Sequence, residues 1–228
     1  MPRWGMVIDL DKCFACQSCT VACRMENNTP VAGPDQTARD RVILWNEVLP
    51  FIDGEYPEVN VLLVPRPCQH CDNPPCVKVC PVKATYQNEE GIVLVDWSRC
   101  IGCRFCTVAC PYQVRYFNWY RPEWPEALKA HLNPDPEVAP RPKGVVEKCT
   151  FCIQRLYKAR RQAEEEGRAF NATDYIPACV QTCTGRARYF GDLDDPTSLV
   201  SQLAKSPRAF RLLEELGTEP KVYYLKQG

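Results

Sequence analysis

Sixteen cysteines among 228 residues are the chief chemical resource of this sequence, and they fall into four quartets. The most regular is Cys100-x2-Cys103-x2-Cys106-x3-Cys110, followed by Pro111. Three thiolates at that spacing reach three irons of one [4Fe–4S] cube. The fourth cannot easily turn back, so it is handed to a neighbouring cube. One such run therefore implies a partner run. The first quartet, Cys13, Cys16, Cys19 and Cys23, repeats the x2, x2, x3 spacing, with Arg24 in the place of the proline. The second, Cys68, Cys71, Cys76 and Cys80, ends in Pro81, and Asp72-Asn73-Pro74-Pro75 widen its middle gap. Two prolines fix φ and stiffen that excursion, so Cys76 still arrives at the same cube. The fourth quartet is split into Cys149 and Cys152, then Cys179 and Cys183, and Thr184 follows it.

An even cysteine count invites disulfides, but these need a secretory context, and none is visible. Zinc takes Cys-x2-Cys pairs. It does not explain a third cysteine at x2 and a fourth at x3 before proline. Four [4Fe–4S] clusters are the expectation. His70 lies inside a quartet that already has four cysteines, so it is read as structural or as support behind a ligand. When each cube takes three cysteines from one run and one from another, the inner quartets give Cys68, Cys71, Cys76 with Cys110, and Cys100, Cys103, Cys106 with Cys80. The outer quartets then give Cys13, Cys16, Cys19 with Cys183, and Cys149, Cys152, Cys179 with Cys23. The rival pairing, first with second and third with fourth, leaves a longer, irregular unit at each end, so nesting is preferred. Such a protein needs no general acid, base or nucleophile and is no enzyme on its own. Its work is to space the clusters and tune their potentials. Ile101, Val108, Phe105, Phe14 and Val77 are expected to form the dry shell around them.

These quartets need elements to hold them. Val7 to Leu10 reads as a strand leading into the first. Residues 24–45 are polar and read as a surface loop, and the state of Trp45 to Phe51 stays open. Val59–Val64, Gly91–Asp96 and Val114–Trp119 read as strands. Ile153 to Arg168 has amphipathic helical character, stopped at Gly167. Helices are expected over Leu199–Leu203 and Pro207–Leu216, and a last strand over Val222–Leu225. The fold class is α+β: two nested dicluster units with long loops and a C-terminal helical extension. Residues 59–119 form the inner unit and 1–58 plus 144–195 the outer one. Residues 120–143, with six prolines, form an arm expected to lie on a partner protein, and 196–228 the extension.

Lys plus Arg and Asp plus Glu both number 28, which argues against a nucleic-acid partner. Four oxidised cubes with their thiolates would bring the loaded protein to about −8. Arg24, Lys78, Lys83, Arg99, Arg104, Lys148 and Arg186, beside the cysteines, would offset part of that. No stretch approaches the roughly 18 apolar residues of a membrane span. Residues 1–5 carry neither a signal-peptide apolar region nor a twin arginine, so export would need a partner with its own leader.

The chain resembles the four-cluster iron–sulfur subunits of the molybdopterin oxidoreductases of dimethyl-sulfoxide-reductase type. The resemblance covers nearly the whole sequence. It is carried by Met6-Val7-Ile8-Asp9 before Cys13, Cys68-x2-Cys71-x2-Pro74-Pro75-Cys76, Glu147-Lys148-Cys149-Thr150-Phe151-Cys152, Pro177-Ala178-Cys179 and Phe190-Gly191-Asp192-Leu193. It is similar above all to polysulfide, thiosulfate, tetrathionate and arsenate reductase subunits, and to the related subunit of alternative complex III. The resemblance implies a catalytic partner with a molybdenum or tungsten bis-pterin and an NrfD-like, quinone-binding membrane subunit. It also implies nested cluster pairing and a peripheral place at a membrane, on the cytoplasmic face or exported with a partner. Thr184, where that family usually has proline, is a departure that bears on the cluster held by Cys183. The insert between Cys152 and Cys179 is also longer than in the shortest members. A free polyferredoxin shuttle and a zinc-structured interaction module are the competing functions. The Pro-rich arm and the extension favour the subunit, since a shuttle needs little beyond its clusters.

Overall fold

The computed structural model describes residues 1–226. In chain order its strands are β1 (Trp4–Asp9), β2 (Asn46–Asp53), β3 (Asn60–Pro67), β4 (Thr85–Gln87), β5 (Val93–Val95), β6 (Tyr116–Phe117), β7 (Val146–Glu147), β8 (Arg188–Asp192), β9 (Ala209–Phe210) and β10 (Val222–Leu225). Its helices are α1 (Ser18–Glu26), α2 (Pro34–Thr37), α3 (Pro75–Lys78), α4 (Phe105–Ala109), α5 (Glu126–Lys129), α6 (Ile153–Glu165), α7 (Ala178–Gln181) and α8 (Leu199–Ala204). This is an α+β chain of small sheets and mostly short helices. None of the helices among the described residues is long and apolar enough to cross a membrane.

β1 is the spine. Side chains alternate across a strand, and here both faces are covered. Trp4, Met6 and Ile8 enter the large core that also holds seven of the cysteines, while Val7 packs with Leu193, Val200 and Leu225 on the other side. β1 runs antiparallel to β8 and parallel to β10, with β9 at the edge, giving the order β8-β1-β10-β9. Three two-stranded ribbons complete the sheets: β2 with β3, β4 with β5, and β6 with β7.

A short helix carries the third cysteine of every quartet: Cys19 on α1, Cys76 on α3, Cys106 on α4 and Cys179 on α7. These helices associate in two pairs, α3 with α4 and α1 with α7. The first pair joins the second and third quartets, and the second pair joins the first and fourth. The insert that splits the fourth quartet is α6 and a return loop. Leu156 and Ala163 bury one face of the helix, and Arg155 holds Glu26 on α1 at 2.7 Å. Asn171 and Asp174 then close a capping box that brings the chain back to Cys179.

Several expectations need correction. The C-terminal extension is not helical in the main. Only α8 matches the expected helix over Leu199–Leu203, and the one expected over Pro207–Leu216 is a strand, β9, and a 3-10 turn at Glu214–Leu216. Phe210 leaves the helical path to pair with Tyr224 and pack on its ring at 5.7 Å, and Arg208 is held by Asp9 and Asp11. Pairing across the sheet outweighs helical periodicity. The extension is also no appendage. Val222–Leu225 forms the expected strand, and it lies inside the main sheet. Lys221 on that segment is fully buried, donating to Asp72 at 2.7 Å and to the Gly91 carbonyl, while Asp72 and Asn73 donate backbone N–H groups to Glu219 and Thr218. The C-terminal segment thus clamps the widened gap of the second quartet.

Residues 24–45 are not simply a surface loop, because α1 continues to Glu26 and Asn27 to Pro30 are buried. Of Trp45 to Phe51, whose sequence favours no single state, all but Trp45 belong to the β2–β3 ribbon. The strand expected over Val114–Trp119 shortens to β6. The Pro-rich arm is fastened to its own chain in its second half. Asn28 donates to the carbonyls of Asn133 and Val138, Arg161 pairs with Glu137 at 2.7 Å, and the buried Arg141 guanidinium stacks between Trp45 and Trp97, 4.5 Å from each ring.

Candidate metal centres

All sixteen cysteines are free thiols. They gather in four groups. Cys13, Cys16, Cys19 and Cys183 line one internal cavity, and Cys80, Cys100, Cys103 and Cys106 line another. Burial pushes the Cys71 thiol up to about 12, with Cys68, Cys76 and Cys110 adding to the effect. Burial likewise lifts Cys23 well above the ordinary thiol range, and the next contributions come from Cys149, Cys152 and Cys179. Each group therefore draws three cysteines from one quartet and one from another. Cys23 sits among the cysteines of the fourth quartet, although it lies on α1 with those of the first.

The groups form a row. Cys76 of one group and Cys106 of the next share a buried apolar cluster with Val93 and Val146. Cys149 is pushed up by burial, then by Cys179 of its own group, and also by Cys68. One guanidinium, that of Arg188, reaches both Cys179 Sγ at 3.6 Å and Cys19 Sγ at 3.5 Å. The order along the molecule is therefore the Cys80/Cys100/Cys103/Cys106 group, the Cys68/Cys71/Cys76/Cys110 group, the Cys23/Cys149/Cys152/Cys179 group and the Cys13/Cys16/Cys19/Cys183 group. The two middle groups are wholly buried, whereas Cys103 and Cys16 are exposed at the two ends.

The same local backbone recurs at each quartet. The residue before the second cysteine has positive φ in all four: Ala15 (54°), His70 (44°), Gly102 (69°) and Phe151 (55°). Left-handed residues turn backbone N–H groups inward into an anion-binding concavity. Only one of the four is glycine, so no sequence motif marks the position. Gly102 is also needed for space, since a Cβ there would meet the Gly144 carbonyl oxygen at 2.2 Å. A second left-handed residue follows three quartets, at Lys83, Gln113 and Arg186. Behind two of these turns a backbone N–H reaches the last sulfur: Thr85 to Cys80 Sγ at 3.4 Å and Ala187 to Cys183 Sγ at 3.2 Å.

Further donors converge on sulfur. Asn46 Nδ2 stands 3.2 Å from Cys19 Sγ, and Asn27 Nδ2 lies 3.8 Å from Cys23 Sγ and 3.7 Å from Cys152 Sγ. Thr184, where the resemblance calls for proline, puts its hydroxyl 3.2 Å from Cys16 Sγ, opposite Ser18. Hydrogen bonding with Ser18 and then with Thr184 brings this exposed thiol down to about 7. Burial drives Cys152 in the opposite direction, to about 12, and Cys76 to about 11.

Do these residues fit iron–sulfur clusters? Thiolates are unfavourable in such buried places unless a metal replaces the proton. Nε and Nη1 of the buried Arg115 have no hydrogen-bond partner, yet the strongest charges around it are those of Cys76, Cys106 and Cys68. Spare buried donors among cysteines suit an anionic, sulfide-rich group. Among the described residues, no three His, Cys, Asp or Glu side chains converge on a point that would hold a single ion. Thiolates that each bind one corner of a cube stand apart around it.

The expected dry shell holds only in part. Val108, Ile101, Phe105 and Phe14 are 88%, 64%, 62% and 61% exposed, and Val77 is half-buried. Phe105 and Val108 face outward at one end, Ile101 and Phe14 line the two end cavities while staying open to solvent, and Val77 packs against the cluster of Cys76, Val93, Cys106 and Val146 as expected. The buried apolar contacts come from other residues, among them Val93 and Val146 against Cys76 and Cys106, and Ile8 and Phe151 in the large core. His70 is structural, as expected. It accepts from Val93 N–H at 3.1 Å and stacks on Phe151 with ring centres 3.7 Å apart. The sequence reading missed Arg115 and Arg188. Both stand five residues after the last cysteine of a quartet, a shared offset that could have marked them.

Four cysteine groups, each completed by a residue from a distant quartet, define an iron–sulfur protein of the dicluster kind. Comparison with known proteins agrees: the family described as the 4Fe-4S dicluster domain matches residues 59–126. The chain is 50% identical to the iron–sulfur cluster-binding subunit of menaquinone reductase from Nitratidesulfovibrio vulgaris, over 99% of this chain and 89% of that one. It is 44% identical to a selenate reductase subunit from Mesobacillus selenatarsenatis, over 98% and 72%, and 37% identical to the arsenate respiratory reductase iron–sulfur subunit of a Shewanella species, over 98% and 96%. The chain belongs to this family of iron–sulfur reductase subunits, which transfer electrons and are not the catalytic chains.

Proposed function

We propose that this chain holds four [4Fe–4S] clusters and conducts electrons between a molybdenum or tungsten bis-pterin catalytic subunit and an NrfD-like, quinone-reactive membrane subunit. The ligand sets are Cys13, Cys16, Cys19, Cys183; Cys68, Cys71, Cys76, Cys110; Cys100, Cys103, Cys106, Cys80; and Cys149, Cys152, Cys179, Cys23. They correspond to two nested dicluster units. The clusters, when bound, supply one-electron oxidation and reduction. The residues of this chain supply spacing, N–H donors to sulfur, and exclusion of water from the two middle sites.

The observation that carries the reading is the single row of four cysteine groups, buried in the middle and open at both ends. A structural metal protein has no need of a row, whereas a conductor needs two accessible ends. The exposed apolar side chains there, Ile101, Phe105 and Val108 at one end and Phe14 and Val21 at the other, suit two docked partners and not a free shuttle. The relative named for menaquinone reductase favours menaquinone as the quinone.

Anoxic purification of the native complex tests this. About sixteen irons per chain, together with a pterin-containing subunit and a membrane subunit, is the expected composition. A colourless, zinc-bearing protein, or a fully loaded chain that purifies alone, would sink it.

A further inference from the structure

Three buried cations occupy the row of cysteine groups, one in each gap. Arg188 is 5% exposed and bridges the last gap. Its Nη1 lies 3.6 Å from Cys179 Sγ and 3.7 Å from Met6 Sδ, and its Nη2 lies 3.5 Å from Cys19 Sγ. Asn46 Oδ1 accepts from Nη2 at 2.6 Å and fixes the plane, while the same amide donates to Cys19 Sγ. Arg115, 6% exposed, follows Cys110 of one group by five residues, and its Nη2 donates at 2.8 Å to Oγ1 of Thr85, whose backbone N–H reaches Cys80 Sγ of the next. Lys148, 1% exposed, serves the central gap. Its ammonium donates to the carbonyl of Cys149 in one group and to that of Val93, which packs against Cys76 of the other.

Among the described residues, none of these three forms an ion pair with a carboxylate. A buried cation without a counter-charge is strongly unfavourable. The anionic neighbours of these three are cysteines. Two of the three cations, moreover, stand at the same offset from a quartet's last cysteine, so the device is repeated in the chain.

We propose that Arg115, Lys148 and Arg188 are fixed counter-charges, each shared by the two clusters on either side of it, and that they keep an electron on one cluster from excluding an electron on the next. The inference rests on the four-cluster reading above and adds the residues that set its electrostatics. Each one-electron reduction puts one negative charge on a cluster, and no bond forms or breaks in the protein. Because the cation is fixed, no proton has to accompany the electron. End clusters have one such cation and middle clusters have two. Removing one cation must therefore lower two reduction potentials and leave two unchanged.

The test uses the whole chain, purified anoxically with its clusters and titrated with dithionite and redox mediators while the four reductions are followed by low-temperature EPR. In Arg188→Gln, two clusters become harder to reduce by about tenfold or more in equilibrium constant, about 59 mV for a one-electron couple. The other two do not move, and Arg188→Lys stays at the wild-type values. Arg115→Gln shifts a different pair, and Lys148→Met shifts one member of each pair. Equal shifts in Arg188→Gln and Arg188→Lys would overturn the proposal, as would a change in one cluster only, in all four alike, or in none. If Arg188→Gln loses clusters, Arg188→Lys decides. Full loading at unchanged potentials means that the charge is what is required, and loss in both means that the side chain's shape is. Wild-type chain with fewer than four clusters would refute the functional reading itself, whereas four clusters with unmoved potentials would refute this inference alone.

Discussion

Cys23 offers the sharpest test of the wiring. It belongs to the first quartet and lies on α1 four residues after Cys19. The thiolates that act on it are nonetheless those of Cys149, Cys152 and Cys179. Replacing Cys23 with serine should therefore damage the cluster of the fourth quartet. The magnitude follows from counting ligands. Loss of one cube removes about four of sixteen irons, and loss of only the unsupported corner removes about one. Residues that act on one unit are non-additive, and those that act on separate units add. If Cys23→Ser costs a cube, a Cys23→Ser, Cys149→Ser double variant should still lack about four irons, whereas Cys23→Ser with Cys13→Ser should lack about eight. Iron and acid-labile sulfide per chain are the readouts, with EPR counting the remaining spins. If the Cys23–Cys13 double loses no more iron than either single, the two share a cluster, and the nested arrangement has to be given up for pairing within the quartet.

Other expectations concern single residues. Gly102→Ala forces a Cβ to 2.2 Å from the Gly144 carbonyl oxygen at φ +69°, and should cost about 1–3 kcal/mol, seen as a lower urea midpoint for loss of visible absorbance. Gly167→Ala, at φ +66° with open space around it, should cost about 1 kcal/mol at most. Thr184→Val removes a hydroxyl from Cys16 Sγ and should lower the potential of one cluster, while Thr184→Ser should restore it. Burial lifts the Glu147 carboxyl from an ordinary 4.5 to about 7, against the pull of Arg141. Its raised folded-state pKa adds stability that is complete below the unfolded value and is lost as pH rises through the folded one. Glu147→Gln should therefore resist urea better than wild type at about pH 8, by up to about 3 kcal/mol, with no gain at about pH 4. Val108→Glu, at an exposed end of the row, should leave cluster content intact and abolish co-purification with one partner.

The chemistry was legible in the residues alone. Cysteine at fixed short spacings is a local constraint, because three thiolates must meet three irons within a few residues, so all sixteen candidate ligands could be read directly from the chain. The strands at β1, β3 and β10 and the helix α6 were legible for a similar reason, since burial imposes alternation or helical periodicity on neighbouring residues. The remainder depends on contacts between residues far apart in the chain, which no local pattern encodes. The order of the groups, the burial of the middle two and the exposure of Phe14 and Val108 arise where α1 meets α7 and α3 meets α4. The apolar character of Val108 was visible in the sequence, but which side of a cluster it would cover was not. β9 forms where helical periodicity pointed to a helix, because Phe210 gains a partner in Tyr224 that lies fourteen residues away. The left-handed turns at Ala15, His70 and Phe151 bear no glycine to announce them. Arg115 and Arg188 look like ordinary strand arginines until the fold closes around them. A buried charge takes its meaning from what surrounds it, and those surroundings come from four separate parts of the chain.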